Sequence, residues 1–255
     1  MASSHAGMTD EPRPRRPADR AWLDVPFEDK DAAKSRGAQW DPQARRWYAP
    51  RPGMLELMRW DTLPELLPTE DRTFGNGLYV DLIPKSSWFR NVRSAVDATD
   101  WHRIRTMVYS RAHNRCETCG RRQSDPVRLH CHERFDYAGQ VQRLKRLLCV
   151  CADCHQATHF GHAQLSGKAG QALTHLMTVT GMTQHQAEAH IAAAFTLWEQ
   201  RSKMAWILDL RMIEVAGVTV RDPEAPAQNP QPQRNPGERY DGTSVTITEG
   251  LDPFR

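Results

Sequence analysis

The chain is 255 residues long, 25% charged and 39% hydrophobic, with a formal net charge of +3 and six cysteines; this accommodates one large domain or two or three small ones, in the proportions of a globular protein with disordered ends. It holds no stretch of about 18 consecutive apolar residues, which excludes a membrane-spanning helix. Its start is polar and Pro/Arg-rich with no apolar signal segment, which argues against secretion and a disulfide scaffold and predicts a cytoplasmic protein whose cysteines stay reduced.

Residues 1–20 include Pro12, Arg13, Pro14, Arg15, Arg16 and Pro17 without apolar periodicity, and read as a disordered basic tail. Residues 21–60 read as a compact module. Leu23 and Val25 alternate as in a strand, Asp29 stands where it can cap a helix running through Arg36, and Gly37 stands where that helix should stop. Gln39-Trp40-Asp41-Pro42 makes a turn, and Arg45-Arg46-Trp47-Tyr48 returns as a strand. The expected order is β-α-β around a small core of Trp22, Trp40 and Trp47. Lys34, Arg36, Arg45 and Arg46 are candidate phosphate contacts, and aromatic rings set between arginines can stack on bases; the plainer reading is that Trp40 and Trp47 only fill the core. Val25-Pro26, Lys34, Gly37-Ala38, Trp40-Asp41-Pro42 and Trp47-Tyr48-Ala49-Pro50 together resemble a small domain of unknown function found in primase-like and conjugative-element proteins. The layout also resembles, more loosely, the DNA-binding repeat of annealing helicases.

Residues 61–77, with Pro64, Pro68 and Gly75-Asn76-Gly77, read as a linker, and residues 78–84 as a strand. Asp100 is an N-cap candidate for a helix whose apolar positions 101, 104, 107 and 108 share one face. Arg103, Arg105 and Arg111 on that helix are either phosphate contacts or its solvated side.

The most informative stretch runs from Cys116 to His162 and holds all six cysteines. Cys116/Cys119 and Cys151/Cys154 are two Cys-x-x-Cys pairs, the donor set that a tetrahedral structural zinc takes from two short knuckles. One such pair reads equally well as a redox or disulfide pair; two, bracketing histidines in a reducing compartment, favour zinc. Between them, 128–137 and 140–150 read as a hairpin turning at Ala138-Gly139. A short helix starting near Cys154 and ended by Gly161 completes a ββα order. Side chains alternate along a strand, so His130 and His132 share one face and Cys131 takes the other. His155 and His159 are four apart; on a helix their Cβ atoms lie roughly 5–6 Å from each other, close enough to share a metal ion. The bland alternative is two surface histidines. From Trp101 to Ala163 there are eleven Lys/Arg against five Asp/Glu, a local +6 that leaves −3 for the rest, and a basic patch of this kind suits a polyanion. Arg121, Arg122 and Arg134 are its candidate nucleic-acid contacts.

Residues 168–216 read as helices. Leu173, Leu176, Met177 and Thr180 form one stripe, stopped by Gly181; Thr183 and Gln186 form a capping box; Ala187, Ile191, Ala194, Phe195 and Trp198 form a second stripe. These helices are expected to pack on the finger, which is too small for a core of its own. Residues 221–255 are Pro/Gln/Asn-rich and read as a disordered tail.

The order Cys-x-x-Cys, histidine-bearing hairpin, Cys-x-x-Cys-His and a histidine four residues further resembles the HNH endonuclease superfamily over residues 116–163. The resemblance implies a treble clef, the ββα-metal finger. It also implies His132 as general base, His155 and His159 as ligands of a catalytic divalent cation (Mg, Mn, Ni or Zn), and a further ligand at the position of Cys131. That superfamily carries Asp or His there, and a thiolate favours zinc over magnesium. Three outcomes follow: a softer metal, substitution by His130 or Glu133, or an inactive site.

The expectation is thus an α+β protein: a β-α-β module (21–60), a linker (61–77), and a zinc-bearing ββα-metal domain (78–220) with its finger at 116–163 and packed helices at 168–216, between disordered tails. Its expected function is metal-dependent hydrolysis of phosphodiester bonds in nucleic acid, DNA foremost, with a structural zinc. The alternative is a non-catalytic zinc-finger module that binds nucleic acid or a protein.

Overall fold

The computed structural model describes residues 20–122 and 129–221. The tails expected at 1–20 and 221–255 lie outside these except for Arg20 and Arg221, as does the hairpin's expected first residue, Arg128. Among the described residues the fold is mixed α+β with two small three-stranded sheets, and the chain divides into two units after residue 62.

In the first unit β1 (Ala21–Leu23), α1 (Lys30–Ser35), β2 (Gln39–Asp41) and β3 (Arg46–Ala49) follow in order, and β3 lies between β1 and β2 in an antiparallel sheet. Gln39–Asp41, expected as a turn, is therefore a strand, and the turn falls just after it. Asp41 makes it: its Oδ1 accepts from the backbone N–H of Gln43 (2.8 Å) and Ala44 (2.9 Å). Gly37, at φ 94°, sits past the end of α1, in the backbone region that favours glycine.

Of the three expected tryptophans only Trp47 packs against the core of this unit, from a partly buried position. Trp60, 1% exposed, packs with Leu23, Ala33, Ala38, Ala49 and Leu57, whereas Trp40 is 48% exposed and Trp22 and Trp47 are half-buried. Strand alternation explains this: Leu23 and Ala49 face the core, so Trp22 and Tyr48 face away from it. Trp60 comes from a 3-10 segment, Leu55–Trp60, and its indole N–H donates to Asp29 (2.9 Å), so that carboxylate holds Trp60 and makes no capping bond to α1.

The second unit begins at Leu63, and residues 63–77 are part of it rather than a linker. Leu63 and Leu67 are buried in its core, and Glu70 pairs with Arg111 at 2.7 Å, both side chains at most 1% exposed. Residues 78–84 show the burial alternation of a strand, with Leu78, Val80 and Leu82 inward, but they join no ladder. Instead the Val80 N–H donates to His190 Nε2 (3.0 Å) and the Asp81 N–H to the Thr158 carbonyl (2.9 Å).

After α2 (Val92–Ala95) comes α3 (Ala98–Arg111), capped by Asp97 and not Asp100. Asp97 accepts from the Asp100 N–H (2.8 Å), and the buried Asp100 carboxylate instead takes Arg103 (2.6 Å) and the Thr219 N–H (3.2 Å).

Next, β4 (Leu129–Ala138) and β5 (Val141–Cys151) form an antiparallel hairpin. Its two turn residues, Gly139 and Gln140, both have positive φ (56° and 63°), the primed geometry whose twist matches the strands. The hairpin is covered on both faces. Leu129, Phe135, Leu147 and Cys149 pack with Ile104, Met107 and Val108 of α3, while Leu148, Val150 and Cys151 pack with the helices that follow. Burial on both sides is why Leu147 to Cys151 is an unbroken apolar run.

Those helices are α4 (Ala152–Thr158), α5 (Phe160–Leu165), α6 (Ala169–Thr180) and α7 (Gln184–Ser202). Gly181, at φ 72°, ends α6, and the Thr183/Gln186 box opens α7, as expected from sequence. Gly161 does not end a helix; the break falls at His159, between α4 and α5. Nor is 168–216 helical throughout. β6 (Ile207–Asp209) adds in parallel to the start of β5, and α8 (Arg211–Glu214) follows it. Among the described residues no helix is long and apolar enough to cross a membrane.

Candidate metal centres

β5 ends at Cys151 and α4 begins at the next residue, so the second knuckle straddles a strand-to-helix junction and Cys154 comes from the first turn of the helix. The first knuckle is a tight loop closed by the bridge between Arg115 and Arg122, with the Gly120 N–H on the Cys116 carbonyl (2.9 Å). Glu117 ties it to the hairpin: its backbone N–H donates to the Cys149 carbonyl (2.8 Å), and its carboxylate accepts from the Cys149 N–H (2.7 Å) and from Arg146 (3.3 Å).

The four sulfurs of Cys116, Cys119, Cys151 and Cys154 all come within 4.8 Å of one another, and none is in a disulfide. Hydrogen bonds from Cys151 and Cys154 pull the Cys116 thiol down to about 3, and the same contacts push Cys154 up. Four sulfurs this close cannot all ionise without a cation among them. The set fits the donor chemistry of zinc, and these four residues can hold that ion. One residue that sequence reasoning passed over also touches the cluster: His175 of α6, whose Nε2 lies 3.1 Å from Cys154 Sγ. Nothing in its local sequence marks it.

A second cluster forms beside the first. His132 of β4, His155 of α4 and His159 at the α4–α5 break bring one ring nitrogen each within 4.8 Å of the others. Their ring centroids are 4.7 to 5.4 Å apart, and the planes cross at 69° to 87°, so the rings meet edge-on around a common point. His132 is 5% exposed, and its Nε2 is buried without a hydrogen-bond partner among the described residues. Burial is the main cause that holds all three imidazoles below the usual histidine range, His159 at about 3, with the Arg134 guanidinium pushing the same way. Neutral imidazoles are the metal-binding form. An orphaned buried nitrogen and two neutral neighbours therefore fit a bound cation.

The cluster lines a cavity of ≈ 150 Å³, shared with Asp81, Glu133, Arg93 and Trp101. His130 lines it too, stacked on His155 at 4.6 Å. Glu133, a possible substitute ligand, lines the cavity without joining the imidazole cluster: its carboxylate accepts from the Val92 N–H (2.8 Å), and burial pushes it up to about 7.

Cys131 does not join the imidazoles. It faces the α3 side of the hairpin, opposite Cys149, and packs on that core. Burial and the neighbouring Glu133 carboxylate keep it a thiol. Cys131→Ser is therefore expected to cost about 1 kcal/mol of stability and to leave metal preference unchanged. Denaturant melts and metal competition check this, and a shift toward magnesium in Cys131→Asp would show the opposite.

The candidate nucleic-acid contacts fare unevenly. Lys34, Arg45 and Arg122 are exposed. Arg46 pairs with Asp24 (3.1 Å) and Arg121 with Asp153. Arg134 is fully buried, 3.9 Å over the Tyr79 ring and 3.4 Å from Asp81, where no phosphate reaches it. Arg103, Arg111 and Arg146 are also buried, so the basic surface of the second unit is thinner than its charge count implied.

Comparison with known proteins bears on the first unit. Residues 20–61 match a family described as "Domain of unknown function (DUF5710)". Two Escherichia coli proteins named DNA primase TraC are similar to part of the chain. One is 44% identical over 59 residues, 23% of this chain and 5% of its own length; the other is 48% identical over 42 residues, 16% and 3%. The matched stretch is thus a small fraction of either relative. No solved structure matches the chain.

Proposed function

We propose that the second unit is an HNH-type, metal-dependent endonuclease, built as a zinc-bearing treble-clef ββα-metal finger, that hydrolyses phosphodiester bonds in nucleic acid, DNA foremost. The observation that carries this reading is the meeting of three neutral imidazoles, one from the hairpin and two from the helix after the second knuckle, at the wall of a cavity. His155 and His159 would hold the cation, which when bound polarises a phosphate and offsets charge on the leaving oxygen. Imidazole donors without a carboxylate suit zinc or nickel better than magnesium. His132 is set to take the proton of the attacking water. It is neutral, and its Nε2 has no competing partner among the described residues. A phosphodiester arriving beside it brings negative charge, which opposes the effect of burial and strengthens its hold on that proton. The direct test is plasmid cleavage by the full-length protein with Mg, Mn, Ni or Zn. Product that disappears in His132→Ala supports the proposal; no product with any of the four leaves a zinc-bearing binding module.

The first unit we read as a nucleic-acid-binding module serving the second. Its similarity to stretches of proteins named DNA primase supports this. So does the sheet face turned from its core, where the Arg46 guanidinium stands 5.3 Å from the Trp22 ring and that of Arg20 4.3 Å from Tyr48. The isolated module is expected to fold and to bind single-stranded DNA weakly, with log affinity falling by about 0.7 per neutralised phosphate for each tenfold rise in salt. Fluorescence anisotropy over a salt series measures it; binding that is absent at low salt, or indifferent to salt, counts against the reading.

A further inference from the structure

We infer that His175 is a positioning residue of the cysteine metal centre: its Nε2–H donates to Cys154 Sγ and so seats α6 on the knuckle. The N···S distance is 3.1 Å. A metal-bound thiolate offers lone pairs only, so the imidazole must be the donor in this pair. His175 lies next to Leu176, which is buried with Ala172 against Cys154 and Ala157 of α4, and this packing sets how far the ring can reach.

A zinc ion with four thiolates carries about two negative charges in excess, and N–H groups aimed at sulfur offset them. Among the described residues such donors include the Cys119 N–H on Cys116 (3.5 Å), Arg121 on Cys151 (3.6 Å), His175 on Cys154 and the Cys151 N–H, also on Cys116. The first two come from the first knuckle and its flank. His175 comes from 21 positions beyond Cys154, so it fastens a separate helix, α6, to the centre. Cys154 in turn lies on the helix that carries His155, so the bond also steadies the imidazole cluster. The inference rests on the four cysteines and not on the nuclease proposal.

The test uses zinc-loaded full-length protein mixed with excess chromogenic chelator, followed as the rate of zinc transfer. Removing a partner of this kind weakens metal holding by about 10–100-fold, so His175→Ala is expected to release zinc at least about tenfold faster. His175→Gln, which keeps an N–H donor, should recover most of the difference. In cobalt-substituted protein the thiolate-to-metal charge-transfer band should shift in the alanine variant and return in the glutamine variant. Wild-type release and an unmoved band in His175→Ala would overturn the inference. So would equally fast release from both variants, because packing alone would then explain the contact. If the alanine variant does not fold, His175→Leu replaces it: fast release from leucine and slow release from glutamine support the inference, and equal rates overturn it.

Discussion

Replacing Cys116, Cys119, Cys151 or Cys154 by serine is expected to unfold the second unit, not merely to loosen it. The four sulfurs join the loop after α3 to the junction where β5 ends and α4 begins, and all four face one buried point. Cys116, Cys151 and Cys154 are at most 1% exposed and belong to the same buried cluster as Leu148, Val150 and Leu176. A vacated site would leave polar sulfur groups crowded inside an apolar layer. Structural zinc contributes about 10–16 kcal/mol of apparent binding free energy, whereas a whole domain is stable by only about 5–15 kcal/mol. Loss of the ion therefore outweighs the reserve. Elemental analysis should find about one tightly held zinc per chain, and thermal melts of the serine variants should lose the second unit's cooperative transition while the first unit keeps its own. A strong chelator should do the same to the wild type. Soluble, folded protein without zinc would refute the assignment.

The second large effect concerns His132. Its replacement by alanine should lower cleavage by about 10²–10⁴-fold, the usual contribution of a positioned base, or about 3–5 kcal/mol at 1.36 kcal/mol per tenfold. The zinc and the fold should stay, because the hairpin is held by Leu129, Phe135, Leu147 and Leu148 on its two faces. His155→Ala and His159→Ala should lose rate and cation affinity together. A metal titration separates the roles. If His132→Ala weakens cation binding as much as His155→Ala does, His132 is a ligand and the base lies elsewhere in the cavity. If it costs rate at saturating metal, it is the base.

The parts of this structure that were legible in the sequence are those set by local spacing. Cys-x-x-Cys fixes which sulfurs can meet, a four-residue step fixes His155 against His159, and Gly181 and the Thr183/Gln186 box mark helix ends by their own chemistry. The hairpin was readable because Gly139 marks its turn by local chemistry, although the turn falls at Gly139-Gln140 and not at Ala138-Gly139. What could not be read depended on distant partners. Residues 78–84 alternate like a strand, but their N–H groups go to His190 and Thr158. Trp22 and Trp40 looked like a core until Trp60, beyond the strands, took that place. Arg134 looked like a phosphate contact until Tyr79 and Asp81 enclosed it. β6 is three residues long and is defined only by the strand it joins.

The Glu70–Arg111 pair has a consequence for how this unit can be inherited or transplanted. Arg111 also donates to the carbonyls of Glu65 and Leu147, so one guanidinium stitches the stretch after residue 62 to both α3 and β5. A recombination junction placed at residue 78, where the chain looks most like a hinge, would strip Arg111 of its carboxylate inside the protein. An orphaned buried charge of that kind costs about 3–5 kcal/mol. The compact unit that keeps this pair begins at Leu63, so a junction that preserves it falls on the upstream side of that residue.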